Sequence, residues 1–331
     1  MSAHAQAHAA PSRPSGRRLS ELARLIAMPA LLLAALVLTK AIHPDFGPFD
    51  IQSLALGALP LALAATAQAI VVISGGIDLS IGSLIAVANV LSASLMQHAS
   101  FRMSLLMSIL VLLAGAAQGL INGLVVAFSR IPDVVATLTT GFIWGGVALL
   151  ILERPGGGAP ADYLNIAAGT DFGQWLPNAL VVMIVVAAAI WLPIKLSRAG
   201  LLIYAAGSDP VAAFRSGVDV SFARTLAYTF GGVACAAGGM ALTMTTGIGA
   251  PLAGTYYTLS SVAAVVIGGV SLTGGKGGVL GPVIAAILLT LAPMALVFLG
   301  IDPNYGQVIQ GAIIVLVVMV AGFFAYMQER K

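Results

Sequence analysis

The chain has 331 residues, of which 59% are hydrophobic and only 8% charged, with 38 glycines, one cysteine and a formal net charge of +3. That balance excludes a soluble globular domain, whose surface needs roughly 25% charged residues, and the lone Cys235 excludes a disulfide framework or a thiolate metal cluster. The 15 lysines and arginines punctuate apolar runs instead of clustering, so the positive charge reads as helix orientation and not as a nucleic-acid patch.

Residues 1–20, rich in Ala, Ser, Pro and Arg, read as a disordered tail. The apolar run that follows has no small-residue cleavage site after it, which predicts a retained first helix. Charge-free runs then mark the spans: 25–39, 51–77, 79–101, 103–129, 134–152, 172–194, 225–275, 277–301 and 303–328. A crossing of ~30 Å takes ~20 apolar residues. The run 225–275 holds two crossings, divided near the polar, glycine-rich stretch 246–258. The expectation is one all-α integral membrane domain over 21–331, a polytopic bundle of about ten transmembrane helices.

Orientation follows from counting lysine and arginine in short loops. With the N-terminus inside, twelve of the 15 fall on the cytoplasmic side and three, Lys40, Arg102 and Arg154, outside. Dropping one helix scrambles that split, so an even count with both termini cytoplasmic is predicted.

Two loops are long. The outside loop 153–178 carries Pro155, Gly156, Gly157, Gly158 and Pro160, which forbid regular helix in its first part; it reads either as a contact for an external partner or as a plain connector. The inside loop 195–224 contains AGSDPVAAFRSGV over 206–218. Here Ser208 or Asp209 can cap free amides, Pro210 suits a first helical position, and Gly217 suits a left-handed C-terminal cap. A helix of about two turns is marginal alone, so this one needs a docking surface, for which Ala212, Ala213 and Phe214 offer an apolar knob.

The segment ISGGIDLSIGS over 73–83 resembles the signature of the ribose, xylose and galactoside type permeases of binding-protein-dependent ABC importers. The loop from Gly207 through Ala212 and Ala213 to Gly217 resembles their cytoplasmic segment, and VIGGVSLTGG over 266–275 resembles their late glycine motif. The likeness runs from about Phe46 to the C-terminus. It implies a permease in a bacterial cytoplasmic membrane, paired with a second permease, identical or paralogous, a cytoplasmic ATPase and a periplasmic sugar-binding protein. It also implies a neutral monosaccharide as cargo, with ATP and magnesium held by the partner ATPase and no cofactor on this chain. Coupling residues follow by match: Gly207, Asp209, Pro210, Ala212, Ala213, Phe214, Arg215 and Gly217. Another neutral nutrient such as a nucleoside, carried by the same machinery, is the nearest alternative.

In the first motif, Asp78 and Ser80 precede an apolar helix and can cap its N-terminus; substrate contact is the other reading. Gly75, Gly76 and Gly82 permit a helix broken at membrane depth, as transporters use for gates. The later motif, with Gly268 and Gly269, is weakly similar and hints at a duplicated core. Its Gly275-Lys276 pair is not a phosphate-binding loop, because Val270 and Gly277 occupy positions that must be Gly and Ser or Thr.

Polar residues inside the spans, chiefly Gln68, Asn89, Asn122, Thr137, Thr139 and Trp144, with Thr66, Gln118, Thr243 and Thr245 behind them, are candidates for a sugar pathway; interhelical bonding is the plainer reading. Asn89, Asn122 and Trp144 are the first choices. An ion-coupled carrier needs ionisable groups in the membrane, and Asp78 is the single candidate. The four histidines, His4, His8, His43 and His98, fall in the tail or outside loops, so no catalytic or metal site is expected.

Overall fold

The structure, a computed structural model, describes residues 15–302 together with 305, 308, 311, 312, 315 and 319. Most of the predicted tail over 1–20, and most of the tenth predicted span over 303–328, lie outside the described residues. The described residues form helices joined by loops: α1 Ser15–Ile42, α2 Pro48–Ile73, α3 Ile81–Met96, α4 Phe101–Phe128, α5 Asp133–Ile151, α6 Ala161–Ala168, α7 Asn178–Leu196, α8 Arg198–Ser208, α9 Pro210–Arg215, α10 Val220–Thr246, α11 Thr255–Ile267 and α12 Leu280–Phe298. No strand occurs among the described residues; the one β-bridge joins Gly156 to Gly249.

Six of these helices, α2, α4, α5, α7, α10 and α12, are long and apolar enough to cross a membrane. A helix apolar on every side belongs inside a bundle, and α2 is the case in point, with Ala58 to Ile73 all buried. Around it pack α10, α12, α7 and α11. The outer helices turn large apolar side chains outward, such as Leu33, Leu113, Phe142 and Leu150. Lipid is the solvent that such a surface suits.

Small residues bring α4 and α10 together. A Cβ on Gly115, Gly119 or Gly123 would overlap the backbone of Gly232, Tyr228 or Thr225, which is how helices pack where no hydrophobic force drives association.

Two of the ten predicted crossings coincide with shorter apolar helices. At 16 and 13 residues, α3 and α11 run only ~24 and ~20 Å at 1.5 Å per residue, short of a ~30 Å core. Charge-free length counts the irregular backbone before each helix as if it were span. The division of 225–275 does fall where predicted, over 247–254, but that stretch is not a surface turn. Gly249 packs on Val90 and Ala93, and Gly254 packs on Gly82 and Ala86, so the chain runs back along α3 for about two turns, ~10 Å.

Contacts sort the loops into two ends. At one end the turn after α2, the start of α5, the α8–α9 segment and the loop after α11 lie together. At the other, residues 156–158 bond to Gly249 and Ala93, Tyr163 meets Ser108, and Gln52 meets Ala168. The first end holds Lys195, Arg198, Arg215, Arg224 and Lys276, and the second Lys40, Arg102 and Arg154. The five belong to the predicted inside set of twelve, and the three are the predicted outside set.

Candidate functional site

The two glycine motifs end their helices alike. After α2, Gly75 has φ +87°; its N–H donates to Val72 O at 2.9 Å and that of Gly76 to Val71 O at 3.2 Å. After α11, Gly269 has φ +77°, with Gly269 N to Val266 O at 3.1 Å and Val270 N to Val265 O at 3.1 Å. Both are Schellman endings, in which a glycine accepts the left-handed conformation and two orphan carbonyls find donors. Matching them pairs Gly75 with Gly269, one residue off the sequence match of Gly75 with Gly268.

Beyond Gly76 the first loop climbs into the bundle on a chain of side chains. The Ser80 N–H and Oγ both donate to Asp78 Oδ1, at 2.8 and 2.5 Å. Asn122 on α4 donates to Ser80 Oγ at 2.6 Å, and Trp144 on α5 donates to Asn122 Oδ1 at 2.9 Å. Leu79 N donates to Thr137 Oγ1 at 3.0 Å. Asp78 and Ser80 therefore do not cap α3 as expected; Ser80 is its N-cap residue without a side-chain cap bond, and Asp78 holds the turn before it. Asn122 lies six residues before the end of α4, so Ser80 sits ~9 Å inside the basic end. Irregular backbone at that depth persists because protein satisfies it.

Gly82 shows where the two short helices meet. A Cβ there would overlap the Gly254 carbonyl, and one on Gly254 would overlap the Gly82 carbonyl. The N-termini of α3 and α11 thus abut inside the bundle, backbone against backbone. Half-helices meeting in a bundle interior are a recurrent transporter device.

The short helix predicted over 206–218 forms, with one inward contact that the sequence did not disclose. Asp209 Oδ1 accepts from Val211 N and Ala212 N at 2.9 and 3.0 Å, Pro210 opens α9, and Gly217 closes it with φ +83°. Ser208, the other capping candidate, donates back to Tyr204 O. Phe214 is 74% exposed, and Ala212 and Arg215 are exposed too, but Ala213 is buried against the body and offers nothing to a partner. A six-residue helix has one inward face, and Ala213 occupies it.

At the C-terminal end of α8, next to α9, three motifs far apart in sequence converge. A Cβ on Gly207 would overlap Ile73 O and lie 2.8 Å from Gly275 N; one on Gly274 would lie 2.6 Å from Gly207 O and 2.9 Å from Gly75 Cα. Gly275 N donates to Ile73 O at 2.9 Å. Tyr204 OH donates to Gly277 O at 2.6 Å. The first glycine loop, the α8–α9 segment and the late glycine loop therefore share one backbone junction. Gly268, by contrast, packs on Gly281 and Pro282 at the start of α12.

Several participants were not singled out in the sequence. Asp133 and Arg224, at the starts of α5 and α10, pair at 3.6 Å, and the fully buried Tyr228 donates to Ile77 O at 3.4 Å. Opposite charges opening two helices at the same end were the available signal.

Among the pathway candidates, Asn89 is fully engaged: Nδ2 donates to Thr243 Oγ1 at 2.8 Å and Ile248 O at 3.1 Å, and Oδ1 accepts from Ala250 N at 2.7 Å. Asn122 and Trp144 are engaged with each other, so the three first choices tie helices together. Thr66 and Thr245 bond within their own helices. Thr139 faces outward from α5 and bonds Val135 O, away from the interior of this chain. Gln68 and Gln118 differ: both are buried, and among the described residues neither amide has a hydrogen-bond partner.

The family model described as "Branched-chain amino acid transport system / permease component" matches residues 51–318. Curated relatives include the ribose import permease of Haemophilus influenzae, 32% identical over 92% of this chain and 94% of its own length. The ribose import permease of Escherichia coli K12 is 30% identical over 92% and 97%, and the fructose import permease of Rhizobium meliloti is 31% identical over 78% and 74%. No solved structure matches the chain. With that model covering most of the sequence and apolar helices to match, the chain is a multi-pass membrane protein that belongs to this family of transport permeases.

Proposed function

We infer that this chain is the membrane-spanning permease subunit of an ATP-driven importer of a neutral monosaccharide. The similarity to ribose and fructose import permeases along most of the chain carries that reading. Apart from Asp78, which is engaged by Ser80, the buried polar side chains among the described residues are uncharged amides and hydroxyls, and Gln68, Gln118, Asn89 and Asn122 suit a polyol better than the zwitterion named by the family description.

The basic end faces the cytoplasm of a bacterium, in its inner membrane, with both termini on that side and a bundle of about ten helices. The ATPase, which carries the ATP and magnesium, docks on α9 through exposed Phe214; a second permease completes the pore and a periplasmic binding protein delivers the sugar to the opposite end. Movement of α9 passes through α8 to Gly207, and from there to both glycine loops at once. Those loops set the position of α3 and α12, so the half-helix crossing at Gly82 and Gly254 opens to one side or the other. Gln68 and Gln118 line the path and exchange hydrogen bonds with sugar hydroxyls, as unpartnered buried amides are free to do.

Reconstitution tests this. Proteoliposomes containing this chain, its ATPase and binding protein should take up labelled ribose, fructose or allose only with hydrolysable ATP inside. Uptake without ATP would replace the importer with a secondary carrier. Gln68→Leu should raise KM for the sugar about tenfold, while removal of an unsatisfied buried amide leaves stability equal or better by ~1 kcal/mol. A stability loss with unchanged KM would make Gln68 structural.

A further inference from the structure

At the basic end a cavity of about 560 Å³ opens between α1, α7 and α12. One face of α7 forms its wall, with Ile184, Ala188, Trp191 and Lys195 among the lining residues. The eleven-residue spacing from Ile184 to Lys195 makes the wall ~16 Å long. Its floor is apolar and nearly closed, since Ala187, Trp191 and Val283 are under a tenth exposed. Its rim is cationic: Lys195 and Lys276 both line it and both are exposed, and among the described residues no acidic side chain lines it and neither lysine has an ion pair.

We propose that this groove holds one anionic glycerophospholipid, its phosphate between Lys195 and Lys276 and an acyl chain along the Ile184 to Trp191 face of α7. Charge complementarity selects the occupant. An apolar slot alone would take any acyl chain, but two unpaired lysines at the mouth of a slot between membrane helices favour a negative headgroup, each by roughly fivefold. The backbone supports the same end of the lipid. Gly277 and Gly278 leave the rim without side chains, and α12 begins beside them with no side-chain cap on its first amides, where a phosphate is electrostatically favoured. The consequence is regulatory. The lipid sits against the loop after α11, which also touches Gly207, so its binding biases the junction that links the coupling segment to the bundle.

This proposal is independent of the cargo. The full chain is purified from nanodiscs of phosphatidylcholine with a minor share of phosphatidylglycerol, and retained lipid is counted by native mass spectrometry. Wild type should retain phosphatidylglycerol at least tenfold above its share in the nanodisc. The double variant Lys195→Gln, Lys276→Gln should lose that preference by about tenfold or more, while Lys40→Gln at the opposite end should not change it. Ala188→Trp, which fills the slot, should lower retention of both lipids there. The double variant alters only exposed side chains, so its monodisperse elution keeps the test valid if Ala188→Trp fails to fold. Equal retention of both lipids by wild type overturns the proposal, as does an unchanged preference in the double variant. Retention of no lipid also overturns it, and assigns the groove to another part of this chain or to a partner. Inorganic phosphate should not displace the bound lipid; displacement would make the site one for a free anion.

Discussion

The loop after α2 and the loop after α11 share one backbone ending and differ in what fixes them afterwards. The first is pinned by buried side chains, through Asp78, Ser80, Asn122 and Trp144, to two neighbouring helices. The second has Ser271 and Thr273 bonded to each other at 2.7 Å on the exposed side, a backbone bond from Gly275 N to Ile73 O, and the Tyr204 hydroxyl donating to Gly277 O. The same Schellman turn thus ends one helix in a loop pinned by buried side chains and the other in a loop held near the surface, chiefly through its backbone.

The strongest way to break this comparison is to disturb both loops together. Gly207→Val drives a branched side chain into Ile73 O and the Gly275 backbone, and should cost ~3 kcal/mol or more of stability, read as loss of monodisperse protein or of resistance to denaturant. Tolerance of valine would mean that the three motifs do not meet. Next, Asn122→Leu should leave Ser80 Oγ and Trp144 Nε1 short of partners and cost ~2 kcal/mol in reversible detergent unfolding, with Trp144 fluorescence shifted. If Asn122→Leu is neutral, the first loop is no more anchored than the second. Smallest is Ser271→Ala with Thr273→Ala, where the pair is exposed and the change should stay within ~0.5 kcal/mol. A larger loss would make the second loop an anchor too.

What the residues disclosed in advance was chemistry local enough to be complete within a few positions. The Asp209, Pro210 and Gly217 punctuation of α9, the glycine ending of α2 and the break over 247–254 need only neighbouring atoms. Which face a helix turns inward is a different matter. Where a helix is apolar all round, periodicity carries no direction, so Thr139 could not be placed outside, nor Ala213 inside. The half-helices were hidden for a related reason, since extended backbone inside the bundle is as free of charge as helix. Burial of Asn89 and Asn122 was legible, but their partners, Thr243 on α10 and Ser80 before α3, lie 154 and 42 residues away. The convergence of Gly75, Gly207 and Gly274 is likewise a product of tertiary structure. Family resemblance put the three motifs in one protein; only packing put them at one point.

The central claim is that exposed Phe214 on α9 passes a partner's movement through this junction to the transport path. The most direct measurement is the ratio of labelled ribose taken up to ATP hydrolysed, in proteoliposomes with Phe214→Asp in place of wild type. Phe214 touches solvent and not the core, so the fold should stand while uptake falls at least tenfold and binding-protein-stimulated hydrolysis loses its link to transport. An unchanged ratio at wild-type rate would contradict the account and remove α9 from the mechanism.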